Sequence, residues 1–260
     1  MVVGHEIWHV AVAPPSSLDD GLVSKVVSIV GKSPYETRLR LTGKIPKIIA
    51  NFDNLPRAES ATRNLSELGL RVITVSDSRL RKPAEIFKAR SLRFDGLAVT
   101  FLDRSGQSKT LQAADLFLIL SVKMHTVTET QSIKITRKIN IAATILTGGI
   151  PIPKKVKEKI TNTSYQTESF IRLYDGTSPE FAVQISQAAF DYSFLGSEMS
   201  SSAAANFVIA VKKIREALPQ VIFDDSLIDP FGANVPATMA LESMEANCKL
   251  VYWYHKAAKS

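Results

Sequence analysis

Apolar residues along the first third of the chain switch between strand and helix spacing, and a cap or a breaker marks each switch. Ile7 to Val12 is apolar and partly β-branched and stops at Pro14-Pro15, which predicts a strand. Ser17 reads as an N-cap, with Asp19 and Asp20 placing negative charge at the positive end of the helix dipole. Leu18, Leu22, Val26 and Ile29 then recur at helical spacing up to Gly31. Ser33-Pro34-Tyr35-Glu36 is a capping box with proline at the first helical position, and Gly43 is the matching stop. Ile45 to Phe52 predicts a second strand. Asn54 caps a third helix with Ala58, Ala61, Leu65 and Leu68 on one face, stopped by Gly69 before a third strand at Leu70–Val75. The predicted order is strand, helix, helix, strand, helix, strand.

Beyond Lys82-Pro83 the pattern turns to short strands, and residues 79–89 read as a linker. Ser91–Phe94 and Leu97–Leu102 are joined by Asp95-Gly96, a two-residue hairpin signal. Arg104-Ser105-Gly106 makes another turn, and Lys109–Leu111 and Leu116–Val122 continue the sheet. Ser169–Tyr174, Ala182–Ile185 and Phe190–Phe194 supply three more strands. Ser200–Ser202 then start a helix with Phe207, Val211, Ile214 and Leu218 on one side. The expected fold class is α+β: a small βααβαβ module over residues 1–78, then a seven-strand barrel-like domain over residues 90–231 closed by a C-terminal helix, then a tail over residues 232–260.

The second helix ending at Gly43, the Lys44-Ile45-Pro46-Lys47 passage into a strand, and the alanine-rich helix running into Leu68-Gly69-Leu70-Arg71-Val72 carry a likeness. Residues 5–76 resemble the C-terminal domain of the bacterial ribosomal stalk protein. That resemblance implies a docking face on the first two helices with exposed basic residues contributing, at Lys25 and Arg38 in this sequence. It covers about a quarter of the chain, and the chain begins almost at the first strand, so a ribosomal role is not implied. Residues 90–219 resemble, in architecture and not in motif, a pleckstrin-homology-like barrel. Lipid-binding members of that group place Lys and Arg around the first hairpin, where this chain has Asp95-Gly96.

A segment of residues 126–167 interrupts the strands. It mixes Ile133, Ile135, Ile139, Ile141, Ile145 and Leu146 with Lys134, Arg137 and Lys138, and continues through Gly148-Gly149-Ile150-Pro151-Ile152-Pro153 to Lys154-Lys155-Val156-Lys157. A disordered loop would be poorer in isoleucine. Alternating Ile and Lys at 133–135 points to a strand, whereas 139–146 fits a short helix equally well. Apolar plus basic content suits an anionic membrane or an acidic partner. The other reading is a hairpin that packs on its own domain or on a second copy.

Charge sharpens this picture. The net charge is +7, and residues 134–159 hold seven basic residues and one acid, so nearly the whole excess lies in a tenth of the chain. Lys154, Lys155, Lys157 and Lys159 are the candidates for partner contact there. No aromatic residue lies between Lys134 and Thr163, which argues against single-strand stacking and sequence-specific nucleic acid. At 260 residues and 45% hydrophobic content the chain can bury two ordinary cores. A lone cysteine, Cys248, excludes an internal disulfide framework and fits a reducing compartment. The first residues do not read as a secretory leader, and no apolar run approaches eighteen residues, so a cytoplasmic location, or one at a membrane surface, is expected.

Catalytic signals are sparse. His5-Glu6-Ile7-Trp8-His9 matches the H-E-x-x-H zinc pattern in letters, but that chemistry needs a helix. In the strand expected here the two imidazoles stand roughly 13 Å apart, beyond the reach of one metal. Asp224, Asp225 and Asp229 lack the glycine and glutamate that an EF-hand needs and read as turn and cap residues. There is no G-x-S-x-G, phosphate-binding loop or G-x-G-x-x-G. Cys248 and His255 are seven residues apart, with nothing in the sequence to bring them together. The tail ends in Tyr252-Trp253-Tyr254, which either docks back on the body or anchors a partner through Trp253. The sequence thus points to a non-enzymatic adaptor or scaffold without a cofactor. It acts through a protein partner or self-association, with an anionic membrane surface as the alternative partner.

Overall fold

Three antiparallel strands open the chain: β1 (Trp8–Val12) lies between β2 (Lys47–Phe52) and β3 (Val72–Ser76). The computed structural model describes residues 6–139, 153–228 and 235–259 and shows an α+β protein. Helices α1 (Asp20–Val30), α2 (Pro34–Leu41) and α3 (Leu55–Glu67) interleave with these strands, and a short α4 (Asp77–Arg81) follows β3. Strand alternation gives this sheet two apolar faces. Val10, Val12 and Ile49 pack with Val23, Val26, Leu41 and Leu65 under the helices, while Ala11, Ile73 and Val75 face the other way.

The cap of α1 differs from the sequence expectation. Asp19, not Ser17, occupies the N-cap, and its Oδ1 accepts from the Leu22 backbone N–H at 2.6 Å. Leu18 then stands just before the cap and packs in the same cluster as Val23, four residues into the helix. That apolar staple selects the second of two eligible caps. Gly31 closes the helix in a left-handed conformation, φ 68°. Ser33 and Asn54 cap α2 and α3, accepting from the backbone N–H of Glu36 and Arg57.

A second, mixed sheet runs β11 (Ile222–Ile228), β8 (Leu116–Ile139), β9 (Pro153–Asp175), β10 (Phe181–Ser186), β4 (Glu85–Ala89), with β12 (Val235–Pro236) also on β8. β4, β11 and β12 pair in parallel with their neighbours, the rest antiparallel. Residues 79–89, read from sequence as a linker, hold the end of α4 and all of β4. β5 (Ser91–Asp95), β6 (Ala98–Leu102) and β7 (Ser108–Gln112) form a separate three-stranded sheet. The two sheets pack as layers, and among the described residues they do not close into a barrel. Local patterning finds strands and the β5–β6 hairpin but not distant hydrogen-bond partners, and β4 joins β10 across more than ninety residues of chain. The β5–β6 register pairs Asp95 with Ala98, so Gly96 and Leu97 form the turn rather than Asp95-Gly96. Phe190–Phe194, expected as a strand, is an irregular stretch running into a 3-10 helix at Ser193–Glu198.

Helix α5 (Ala203–Ala217), capped by Ser202, lays Phe207, Ala210 and Ile214 on a core shared with Phe101, Ile119, Ile171, Leu173 and Val183. The opposite face of the large sheet takes α6 (Ala237–Lys259). Met244, Cys248, Val251 and Tyr252 of α6 pack on Leu118, Leu120, Phe170 and Tyr174. Leu250 and Ala246, on its other side, meet Ala11, Ile73 and Val75 of the first sheet. The C-terminal helix is therefore filling between two sheets, buried on two stripes.

Candidate functional site

The feature that no core explains is the far end of β8 and β9. β11 leaves β8 at Lys123 and β12 leaves it at Val127, while β10 leaves β9 at Phe170. From Thr128↔Ser164 to Ile139↔Pro153, twelve rungs run on with no third strand among the described residues. At the usual strand rise this ribbon is about 40 Å long. Residues 126–139 and 153–167 of the segment read from sequence as an insertion are thus direct continuations of two core strands. Ile141, Ile145 and Leu146 lie outside the described residues.

Every basic residue of the charged tract has a register position on this ribbon. Ile133 pairs with Lys159, Ile135 with Lys157, Arg137 with Lys155 and Ile139 with Pro153. These rungs alternate with Lys134↔Glu158, Thr136↔Val156 and Lys138↔Lys154. Residues two apart share a face of a strand, so the alternation divides the lysine cluster. Lys155, Lys157 and Lys159 fall on one face together with Arg137, and Lys154 falls on the other. Arg137↔Lys155 and Lys138↔Lys154 are consecutive rungs that oppose like charges, an arrangement that weakens a sheet. The sequence located the charge but not its sidedness, because the partner strand supplies Arg137 and the three isoleucines.

The remaining candidates lie apart from the ribbon. Lys25 is exposed on α1, and Arg38 on α2 ion-pairs with Asp20 in the first turn of α1. Beside Arg38, Tyr35 and Leu39 are 79% and 56% exposed one helical turn apart. Trp253 is half-buried between the two sheets, with the Arg79 guanidinium 5.3 Å from its ring centre and no hydrogen-bond partner for its buried indole N–H. Its neighbours are in its own chain.

His9 lies in β1 rather than on a helix, its ring nitrogens 2.8 Å from Asn51 Oδ1 and from Asp77 Oδ1. Hydrogen bonds from Arg81 and then from His9 hold the Asp77 carboxyl below its ordinary pKa. His5 and Asp229 lie outside the described residues. Asp224 sits in β11, where the register slips before Leu227 and the Ser226 N–H and hydroxyl both donate to Oδ1. His255 of α6 reaches its Oδ2 at 2.6 Å. Burial pulls the Asp224 carboxyl up, but the bonds from His255 and Ser226 outweigh it and hold the pKa below the usual value. Ser226 bonds to the aspartate and not to the histidine, so the three do not make a nucleophile–base pair. Among the described residues, no cluster of three or more His, Cys, Asp or Glu could hold a metal. A groove of about 560 Å³ lies at the end of α5 between Lys212, Arg215, Glu216 and Phe223.

Two buried polar assemblies escaped the sequence reading. Arg172 of β9 donates to Gln184 Oε1 at 3.0 Å and to Glu245 Oε2 of α6 at 2.7 Å. Lys249, without exposed surface, donates to the carbonyls of Arg79, Leu80 and Lys82. Neither has a signal in local pattern, since each joins residues far apart in the chain. Among the described residues no helix is long and apolar enough to cross a membrane. No protein-family model, curated protein or solved structure matches this chain.

Proposed function

We propose that the protein is a non-catalytic adaptor, in which a two-sheet body clamped by α6 carries the β8–β9 ribbon to an anionic partner. The ribbon carries this reading. A two-stranded ribbon is at best marginally stable in water, and this one adds two consecutive like-charge rungs. A chain that keeps twelve such rungs is holding out a surface for something else to cover, and seven cations against two acids set its sign. Work in the cytoplasm fits the single buried thiol.

A second exposed surface supports the word adaptor. Exposed Tyr35, Arg38 and Leu39 make a mixed apolar and basic patch on α2, and Lys25 is exposed on the neighbouring α1. The likeness to the stalk protein's C-terminal domain puts a docking face on the same two helices. For residues 90–219 the pleckstrin-homology likeness draws support from a hairpin-rich sheet, a second sheet and the capped helix α5. The open ends of those sheets weigh against its barrel form.

The test replaces Thr128–Ser164 with Asn-Gly, which joins the Val127↔Tyr165 rung through a two-residue hairpin turn and leaves β12 its partner. The shortened protein should keep the melting temperature of the full chain. Partners enriched on the full chain, then purified, should co-elute with it in size exclusion and fail to co-elute with the shortened form. Identical partners and elution for both forms would remove the ribbon from the function.

A further inference from the structure

We infer that one face of the ribbon docks on an anionic lipid surface: Ile133, Ile135, Arg137 and Ile139 of β8 with their register partners Lys159, Lys157, Lys155 and Pro153 of β9. This rests on the ribbon being the binding element and names what it binds. The face holds four cations, three isoleucines and no acid. The alternate face, over Lys134↔Glu158 to Lys138↔Lys154, holds three cations and an acid and no isoleucine. Charge and apolar surface are therefore gathered on one side of a structure about 25 Å long over these rungs.

A bilayer surface asks for that combination. Anionic headgroups attract the cations over a Debye length, and the boundary below them takes up isolated apolar side chains. Among the described residues no third strand covers the ribbon's outer edges, and such edge groups stay hydrated at headgroup depth but could not enter the hydrocarbon. The element therefore lies on the membrane and does not cross it. A duplex major groove admits a two-stranded ribbon, but base readout there needs side chains that hydrogen-bond to base edges, and three of the four β8 positions on this face are isoleucine. Single strands would call for aromatic platforms, which these rungs lack.

The experiment compares two charge-matched triple variants of the full chain in co-sedimentation with vesicles. One carries Lys155→Gln, Lys157→Gln and Lys159→Gln on the docking face; the other carries Lys134→Gln, Lys138→Gln and Lys154→Gln. Vesicles are phosphatidylcholine alone or with phosphatidylserine, across a salt series, with melting temperature confirming the fold of each variant. The unmodified protein should bind the serine-containing vesicles and release as salt rises. The docking-face variant should lose roughly a hundredfold in partitioning at low salt, at the contribution expected per cation near such a surface. The alternate-face variant should lose less than tenfold. Replacing Ile133, Ile135 and Ile139 with serine should weaken the binding that survives at high salt.

Equal losses from the two triples, or equal binding to both vesicle types, overturns the assignment. Polyglutamate and duplex DNA are run beside the vesicles. Tighter retention on either one than on serine-containing vesicles also overturns it, while leaving the ribbon as the binding element. Loss of all binding differences between the full chain and the Asn-Gly form would instead defeat the ribbon reading itself.

Discussion

Lys249 is a cation with 0% exposure, and what it touches accounts for its place. Its ammonium meets the carbonyls of Arg79, Leu80 and Lys82, the groups that the end of α4 leaves without partners. Burial holds its pKa below the ordinary lysine value, and the three acceptors satisfy its three donors. Lys249→Met keeps the stem and strands the carbonyls, so it should cost about 3 kcal/mol in urea denaturation. A loss under about 1 kcal/mol would mean that water reaches those carbonyls. Asp224 gives a pH signature. Its folded pKa lies below the unfolded value near 3.8, so its stabilising contribution is complete above that pH and disappears as pH falls through the folded value. Asp224→Asn should therefore be less stable than the parent above about pH 5, and the gap should narrow steadily towards about pH 3. A gap independent of pH would mean that the His255 and Ser226 bonds do not depend on the charge.

At the scale of elements, α6 is the piece that most changes its meaning once folded. The tail reads in sequence as an aromatic cluster that either docks back or anchors a partner. In the structure Tyr252 packs edge-on against Phe117 and its hydroxyl donates to the Asp175 carbonyl, while Tyr254 accepts from Arg71. Glu245 pairs with Arg172 in a buried site, where removing either partner would leave an uncompensated charge. Cys248 reports on this docking. Burial pushes its thiol up to about 11, so it is protonated and shielded at neutral pH. A disulfide reagent at about pH 8 should label it only as fast as the helix leaves the sheets. Lys249→Met should speed that labelling, and labelling of the unmodified protein at the rate of a free thiol would contradict the sandwiched helix.

For the whole molecule, the same two strands serve as the centre of a core and as an external arm. Their inner halves contribute Leu118, Leu120, Phe170 and Tyr174 to the contact with α6, and their outer halves run on past every other described strand. Local chemistry was legible where a short stretch decides the outcome. The Ser33 and Asn54 caps, the stops at Gly31 and Gly69 and the apolar stripe of α5 each rest on contacts within a few residues. Even so, Asp19 prevailed over Ser17 because Leu18 had a core to enter. The concentration of charge at 134–159 was equally plain, since composition needs no fold. Pairing between strands distant in sequence was not legible. That β4 adds to β10, that the strands form open layers, and that α6 separates two sheets are choices among distant partners of similar hydrophobicity. Sequence by itself determined the helices and strands of the first module, most of their caps and stops, and the amount of charge, because propensity, capping and net charge are local or additive. Tertiary structure alone decided which face that charge occupies, because a strand of period two is sided only once its register with a partner is set.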